Sequence, residues 1–325
     1  MNKNDYTKFS AAEIGMEYTR PLLVVGIEEV KKDGKKPFMR FAFSDGFSQE
    51  NIVMFDTDMD GISKLGIRKY SVADVTLKVS TYNNSKSFLV TAIRPCSDPT
   101  ASADDFAKTA PLDRYKMYDE ILDLVRSCAD DLGGTVTPVS ELTEKILNDN
   151  KDNFIRSTAA VGMHHNFLGG LVYHTYRMVK SADALSGVYT DLDRELLICG
   201  AALHDIGKIW EYNTHKMGDA DYSSTGVLFG HLHMGAALIK RAAEDGNYSM
   251  EKVKLLTHMI LSHHGRQEWG AVVPPATPEA FVLHFIDNID ARVNMCEKEY
   301  ETLAPGEITD KKPFGLEGRI YKPKY

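Results

Sequence analysis

The sequence is poor in cysteine, and the cysteines it has are scattered. Four occur in 325 residues, at Cys96, Cys128, Cys199 and Cys296, and no two form the closely spaced pairs typical of zinc or redox sites. This spacing argues against a disulfide framework and against a thiolate zinc site. It predicts a reducing compartment, namely the cytoplasm.

Long apolar runs and an excess of positive charge are also missing. No run approaches the ~18 apolar residues that a membrane span needs, and the N-terminus lacks the charged-then-apolar pattern of a signal peptide. We therefore expect no membrane partner. The formal net charge of −8 excludes binding of nucleic acid through bulk positive charge, but not through a local groove.

The first hundred residues have the pattern of a small all-β domain. Five short runs rich in β-branched and aromatic residues, separated by turn residues, lie at 22–27, 38–43, 51–55, 70–79 and 87–93. Five strands in about eighty residues favour an OB-type barrel, and an SH3-like barrel would show a similar pattern.

One predicted hairpin of this barrel combines basic and aromatic residues. Lys35, Lys36, Phe38 and Arg40 lie together there, and single-stranded nucleic acid is bound by cations for the backbone and rings for the bases. We take these four as candidate nucleic-acid-binding residues. The alternative is a solvated hairpin tip above buried phenylalanines.

The remainder of the chain is predicted to be helical. Apolar residues recur at helical spacing over 113–132, 139–147, 173–185, 194–203, 253–262 and 279–299, whereas Thr214–Gly230 is rich in Gly, Asp and Ser and is expected to be a loop. The predicted organisation is an OB-fold domain over 1–100, a helical connector over 101–158, an all-α domain over 159–300 and a packed tail over 301–325.

Histidine is the informative residue, because all eleven histidines lie between His164 and His284. The strongest local signal is His204-Asp205, which ends an apolar helix and is followed by Gly207 and Lys208. A buried carboxylate is costly without a partner, and imidazole together with carboxylate suits a divalent first-row metal ion. Lys208 can then approach an anion near that metal.

Further candidate ligands come from other predicted helices. They are His174, His231, the His263-His264 pair and Asp287. A single histidine on a helix is more often packed or exposed than a ligand. Several such groups on separate helices favour a shared metal site.

The order of these residues resembles the HD-domain metal-dependent phosphohydrolases. In addition, His164–Thr175 resembles the HHAYxGGLLEHT segment of the YhaM-type 3′–5′ exoribonucleases, Asp105–Pro111 resembles the link after their OB domain, and Gly318–Pro323 resembles their C-terminal tail. The resemblance covers nearly the whole chain. Tyr173 departs from it, since an acidic residue commonly stands at that position.

The resemblance implies a role for each matching residue. Core metal ligands would be His174, His204, Asp205 and Asp287, and second-metal ligands would be His231, His263 and His264. Asp205, Lys208 and His165 would act in catalysis. Asp290 is a rival to Asp287, which we favour, and His233, His258 and His284 are expected to have structural roles.

The activity implied is hydrolysis of single-stranded RNA or single-stranded DNA by a metal-activated hydroxide. Two ions bridged by Asp205 are expected, and because histidine ligands disfavour Mg²⁺ they would be Mn²⁺, Fe²⁺ or Co²⁺. The resemblance also implies a homo-oligomer. Two alternatives remain, an HD-domain phosphohydrolase or phosphodiesterase acting on a nucleotide or cyclic nucleotide, and a non-catalytic RNA- or partner-binding module.

Overall fold

The computed structural model describes residues 6–31, 36–82, 85–107, 109–128, 136–160, 167–215, 218, 220–244 and 246–325. The chain divides into two units, Met1–Lys108 and Thr109–Tyr325. Two of the predicted site residues, Lys35 and His165, lie outside the described residues. Within the described part, none of the helices has both the length and the apolar character needed to cross a membrane.

The first unit is a closed five-stranded barrel. Its strands are β1 (Glu17–Val30), β2 (Phe38–Ser44), β3 (Gln49–Met54), β4 (Val72–Tyr82) and β5 (Ser85–Pro95), and helix α1 (Met59–Lys64) lies between β3 and β4. The order around the barrel is β1-β2-β3-β5-β4, with β3 and β5 parallel and every other pair antiparallel. This Greek-key barrel confirms the OB-type prediction over the SH3-like alternative.

Strand β2 shows why these residues form a barrel. Its side chains alternate, so that Met39, Phe41 and Phe43 are fully buried while Arg40 is exposed. The rings of Phe41 and Phe43 stack with their centroids 5.0 Å apart. These two phenylalanines therefore belong to the core, as the solvated-hairpin alternative expected of them, and Phe38 is only half-buried.

The second unit is mainly helical. Its helices are α2 (Arg114–Arg126), α3 (Val139–Asp149), α4 (Lys151–Arg156), α5 (Gly170–Val188), α6 (Arg194–Leu203), α7 (Lys208–Glu211), α8 (Ser224–Ala243), α9 (Met250–Ser262) and α10 (Pro278–Tyr300), with a short hairpin of β6 (Tyr212–Thr214) and β7 (Ala220–Tyr222). Side chains from α2 and α3 share one apolar core with those of α5, α6, α9 and α10. The predicted order, a β-barrel followed by a helical region, is confirmed.

The loop expected over Thr214–Gly230 is wrong from Ala220 onward. Ser223 begins α8 by accepting the N–H of Gly226 on its Oγ at 2.8 Å, which is a helix N-cap. The helix is broken at Gly230, whose φ of 67° lies in the left-handed region. The composition rich in Gly, Asp and Ser favoured a loop, but the six residues from Ser224 to Phe229 are helical before that break.

Candidate metal centre

Helix α6 carries the central residues of the site. Asp193 caps its first turn by accepting the N–H of Leu196 at 3.0 Å, and every residue from Glu195 to Leu203 is buried. The chain leaves this helix at His204, which is fully buried, and Asp205, which is 2% exposed. An apolar helix thus delivers an imidazole and a carboxylate to the interior, where a carboxylate requires compensating partners.

One group of donor atoms lies on the side of Asp205 that carries Oδ2. The Nε2 atoms of His174 and His204 are 3.0 Å apart, and Asp287 Oδ1 lies 3.3 Å from the His174 Nε2. Asp205 Oδ2 is 3.3 Å from His204 Nε2 and 3.5 Å from His174 Nε2. Helices α5, α6 and α10 therefore bring four predicted ligands to one point.

A second group surrounds the other oxygen of the same carboxylate. Donor atoms of His231, His263 and His264 all lie within 4.8 Å of one another. Asp205 Oδ1 is 3.5 Å from His231 Nε2 and 3.7 Å from His263 Nε2. Asp205 consequently stands between the two groups and presents one oxygen to each.

Hydrogen bonds behind the rings set which nitrogen faces the centre. The Nδ1–H of His204 donates to the Ala201 carbonyl at 2.9 Å, and the Nδ1–H of His263 donates to the Ile260 carbonyl at 2.8 Å. A carbonyl oxygen only accepts, so in the neutral rings Nδ1 carries the proton and Nε2 presents a lone pair. That is the tautomer a metal ligand needs.

Asp290 holds His174 from behind and was not predicted to do so. Its Oδ2 lies 2.6 Å from His174 Nδ1, and its Oδ1 lies 2.5 Å from Nε of Arg177. Asp287, by contrast, lies on the Nε2 side among the donor atoms. This arrangement supports Asp287 over Asp290 as the ligand and gives Asp290 the task of orienting the ring.

Glu211 lies on the Nδ1 side of His231, and sequence reasoning missed it. Its Oε2 lies 2.9 Å from His231 Nδ1, and its Oε1 accepts the backbone N–H of His231 at 3.1 Å. Glu211 is 6% exposed. The signal that could have found it is an acidic residue set among Ile209, Trp210 and Tyr212.

The protonation states of the clustered side chains are those that metal ligands require. Burial would raise the pKa of Asp205 and Asp287, but the neighbouring cationic groups, Lys208 for Asp205 and His174 for Asp287, hold both far below the ordinary carboxyl value. Burial lowers the pKa of His263 strongly and that of His264 to about 4, with help from neighbouring imidazoles. At neutral pH two anionic carboxylates therefore share the site with the neutral imidazoles of His263 and His264.

His174 differs from the other rings because two carboxylates hold it. Burial would lower its pKa, but hydrogen bonds to Asp287 and Asp290 outweigh burial and raise it to about 10. A proton therefore occupies the ring where a cation could otherwise bind. On the Nε2 side, that proton and a bound cation would each be stabilised by the charge of Asp287.

The residues present suit divalent ions. Donor atoms about 2.1 Å from a shared ion lie roughly 3.0 to 3.4 Å apart at right-angled to tetrahedral geometry, and the first group has spacings of 3.0 and 3.3 Å. Asp205 Oδ1, His231 Nε2 and His264 Nδ1 are buried and have no hydrogen-bond partner among the described residues. Such orphaned polar atoms are explained by a bound ion.

Lys208, which was predicted to act in catalysis, lies beside the cluster and is not one of the candidate metal ligands. Its Nζ lies 2.7 Å from Asp205 Oδ2, and the side chain is 11% exposed. It thus places a positive charge beside the carboxylate that separates the two groups.

Three other described histidines, His233, His258 and His284, have surroundings of a different kind. His258 Nε2 accepts the N–H of Ala276 at 3.0 Å, and the Nδ1–H of His284 donates to the His263 carbonyl at 2.9 Å. His233 lines a separate cavity of about 560 Å³ together with Trp210 and Phe229. His284 and His258 therefore have structural contacts, and His233 belongs to neither donor group.

Of the predicted nucleic-acid residues, the described ones, Lys36, Phe38 and Arg40, lie on the barrel with Lys36 and Arg40 exposed and Phe38 half-buried. Phe38 packs against the exposed Phe55 with ring centroids 5.5 Å apart. Lys36 is highly exposed, with Asp56 at 3.9 Å, and Arg40 is paired with Glu28 at 2.9 Å. An aromatic pair with exposed cations nearby fits the expected platform, although Arg40 is already paired.

The helical fold and the two donor groups define an HD-domain hydrolase, a class of metal-dependent enzymes, and residues 171–292 match the HD domain family. The chain is 31% identical to 3′-5′ exoribonuclease YhaM of Bacillus subtilis over 96% of its own length and 97% of that protein. It is 32% identical to 3′-5′ exoribonuclease YhaM of a Geobacillus species, over 96% and 93% of the two chains. This protein belongs to the YhaM family.

Proposed function

We propose that this protein is a metal-dependent 3′–5′ exoribonuclease that hydrolyses single-stranded RNA. The observation that carries the proposal is the position of Asp205, whose two oxygens face two separate sets of His and Asp donors. The names of the YhaM relatives support the direction and the substrate. Single-stranded DNA is a second substrate of the same chemistry.

The donor set supports two divalent ions, held by His174, His204 and Asp287 on one side and His231, His263 and His264 on the other, with Asp205 between them. Imidazole-rich sites favour Mn²⁺, Fe²⁺ or Co²⁺ over Mg²⁺, which prefers oxygen ligands. Bound there, such ions polarise a phosphodiester and lower the pKa of water. Lys208 would stabilise the charge that develops on the phosphoryl oxygens.

The presence of the barrel favours a polymeric substrate over a small phosphate ester. OB-type barrels bind single strands by combining cations with aromatic rings, and Phe38 with Phe55 forms an aromatic pair beside Lys36 and Arg40. A nucleotide or cyclic nucleotide needs no such platform. For this reason we place RNA ahead of small phosphate substrates.

A cleavage assay with two labels tests the proposal. With Mn²⁺, single-stranded RNA labelled at its 3′ end should release the label at once as a mononucleotide, and RNA labelled at its 5′ end should shorten progressively. Asp205→Asn should abolish both, because an amide cannot offer an anionic oxygen to each donor group. Asp221→Asn, at an exposed carboxylate bound to Asn213 and His215, serves as the matched control.

Three outcomes of this assay would contradict the proposal. Turnover of nucleotides or cyclic nucleotides without turnover of RNA would favour the phosphohydrolase alternative. Binding of RNA with no cleavage under any metal would favour a binding module. Full activity of Asp205→Asn would contradict the site itself.

We also propose a homo-oligomer. Phe281, Phe285, Ile289 and Val293 follow one another at every fourth residue along α10 and are each between 41 and 60% exposed. A continuous apolar stripe of this kind is typical of a surface that another chain covers. Sedimentation should show an oligomer that Phe285→Glu dissociates, and a monomeric wild type would contradict this.

For the compartment, we propose the cytoplasm. The four cysteines are free thiols, and burial raises the pKa of Cys128 to about 11. Unpaired cysteines are usual in a reducing compartment, and a raised pKa makes a thiol less reactive. Cell fractionation with an antibody against the protein tests this placement.

A further inference from the structure

Glu211 contacts both the backbone and the ring of one candidate ligand. Oε1 accepts the N–H of His231 at 3.1 Å, and Oε2 lies 2.9 Å from Nδ1 of the same residue. His231 follows the break at Gly230, so its N–H is the first of a new helical segment and has no intrahelical partner. One buried carboxylate thus accepts the first N–H of this segment and lies close to the imidazole attached to it.

Tight backbone packing keeps the two residues in register. A Cβ at Gly226 would lie 2.2 Å from the Glu211 carbonyl oxygen, and a Cβ at Gly207 would lie 2.1 Å from the His231 carbonyl oxygen. Both distances are far below any real contact, so α7 and the start of α8 approach each other closely only because glycine stands at both positions. The close approach of the two backbones therefore fixes the position of the Glu211 carboxylate beside the His231 ring.

The other donor group has its own carboxylate. Asp290 holds His174 from its Nδ1 side and is itself held by Arg177. Among the described residues, the side-chain contacts of Glu211 are with His231 and do not reach that group. The two groups are thus joined by Asp205 but are oriented independently.

We propose that Glu211 is a positioning residue that fixes the ring of His231 and thereby sets the affinity of the second ion alone. The inference rests on the proposed two-ion function and adds to it the separate control of one ion. A carboxylate behind a ligand imidazole fixes its tautomer and its direction, and losing such a partner typically costs 10–100-fold in metal affinity.

The variant Glu211→Gln tests whether Glu211 positions the His231 ring or only supports the fold. The amide oxygen can still accept the backbone N–H of His231, but the amide nitrogen would face Nδ1 and cannot accept its proton. The ring would then favour the tautomer with the proton on Nε2, which cannot bind a metal. Glu279→Gln is the matched control, because Glu279 is also buried and accepts the backbone N–H of Asp193 at 3.0 Å.

The measurement is Mn²⁺ binding to the full-length protein, with stoichiometry from equilibrium dialysis and electron paramagnetic resonance of the bound ions. Wild type and Glu279→Gln should bind two Mn²⁺ per chain with the spectrum of a coupled pair. Glu211→Gln should bind the second Mn²⁺ at least tenfold more weakly and show the spectrum of an isolated ion, with its melting temperature close to that of the control.

Other results would overturn the inference. A coupled pair of wild-type affinity in Glu211→Gln would do so while leaving the exoribonuclease proposal intact, and absence of Mn²⁺ binding by wild type would defeat both. If Glu211→Gln does not fold, Glu211→Asp decides, since a carboxylate one methylene shorter can keep only one of the two contacts. Wild-type affinity for both ions in Glu211→Asp would then overturn it.

Discussion

The ammonium of Lys208 lies 2.7 Å from Oδ2 of Asp205, the carboxylate that stands between the two donor groups. Burial would lower the pKa of Lys208, but the charge of Asp205 outweighs burial and raises the pKa above its ordinary value. Lys208 is therefore a permanent cation at neutral pH. It lies beside the candidate metal centre without belonging to either donor group.

Replacing Lys208 with methionine should slow hydrolysis far more than it disturbs the fold. Methionine keeps most of the apolar stem but removes the charge that would face the phosphoryl oxygens. A lost electrostatic contact of this kind typically costs about 10²–10³-fold in kcat. Steady-state kinetics on a short RNA should show a lower kcat and two Mn²⁺ still bound, while Lys254→Met, at an exposed lysine, should match wild type. A kcat within threefold of wild type would contradict the role of Lys208.

Truncating Phe38 should weaken the binding of long RNA and spare the chemistry. Base stacking on an aromatic ring contributes about 1–3 kcal/mol per base, and Phe38 packs with Phe55 on the barrel surface. For Phe38→Ala we expect KM for a long strand to rise about tenfold and kcat on a dinucleotide to stay unchanged. Phe314→Ala, at an aromatic residue that is 85% exposed in the tail, is the control. Equal losses of activity on both substrates would show that Phe38 supports the fold rather than the binding of RNA.

The sequence was most informative where neighbouring residues alone indicate the structure or the chemistry. The adjacent His204-Asp205 pair, at the end of a helix of uninterrupted apolar residues, predicted the centre of the site, and the alternating residues of β2 predicted a strand. Phe41 and Phe43 follow Met39 by two and four residues, so the period of two places all three on the buried face of the strand.

The contacts that orient the ligands could not be predicted in this way. Asp290 meets His174 across 116 positions of the chain, and Glu211 meets His231 across 20 positions that include the β6–β7 hairpin. Such contacts depend on which helix faces share the core, and this is a property of packing that no local spacing encodes. Acidic residues set in apolar surroundings were the available clue.

The phenol of Tyr118 predicts a loss of stability at high pH. Tyr118 is fully buried and donates from its hydroxyl to Asn148 Oδ1 at 2.8 Å, and burial raises its pKa to about 12. The unfolded phenol ionises near pH 10, so the neutral folded phenol contributes fully below pH 10, and its contribution is lost as the pH rises to about 12. Urea unfolding should show a steeper fall in free energy from pH 9 to 11 for wild type than for Tyr118→Phe. Tyr115→Phe, at an exposed tyrosine, should behave as wild type.

Glycine at position 207 should be far less replaceable than glycine at position 187. A Cβ at Gly207 would lie 2.1 Å from the His231 carbonyl oxygen, whereas a Cβ at Gly187 would meet nothing within 4 Å. Gly207→Ala must therefore push α8 away and displace His231, so we expect it to lose about 2–3 kcal/mol in the free energy of unfolding and to bind the second Mn²⁺ more weakly. Gly187→Ala lies in helix α5 and should gain up to about 1 kcal/mol, because alanine favours the helix. Chemical denaturation and Mn²⁺ titration of both variants measure the difference, and equal stability of the two would show that the close approach of α7 and α8 is not needed.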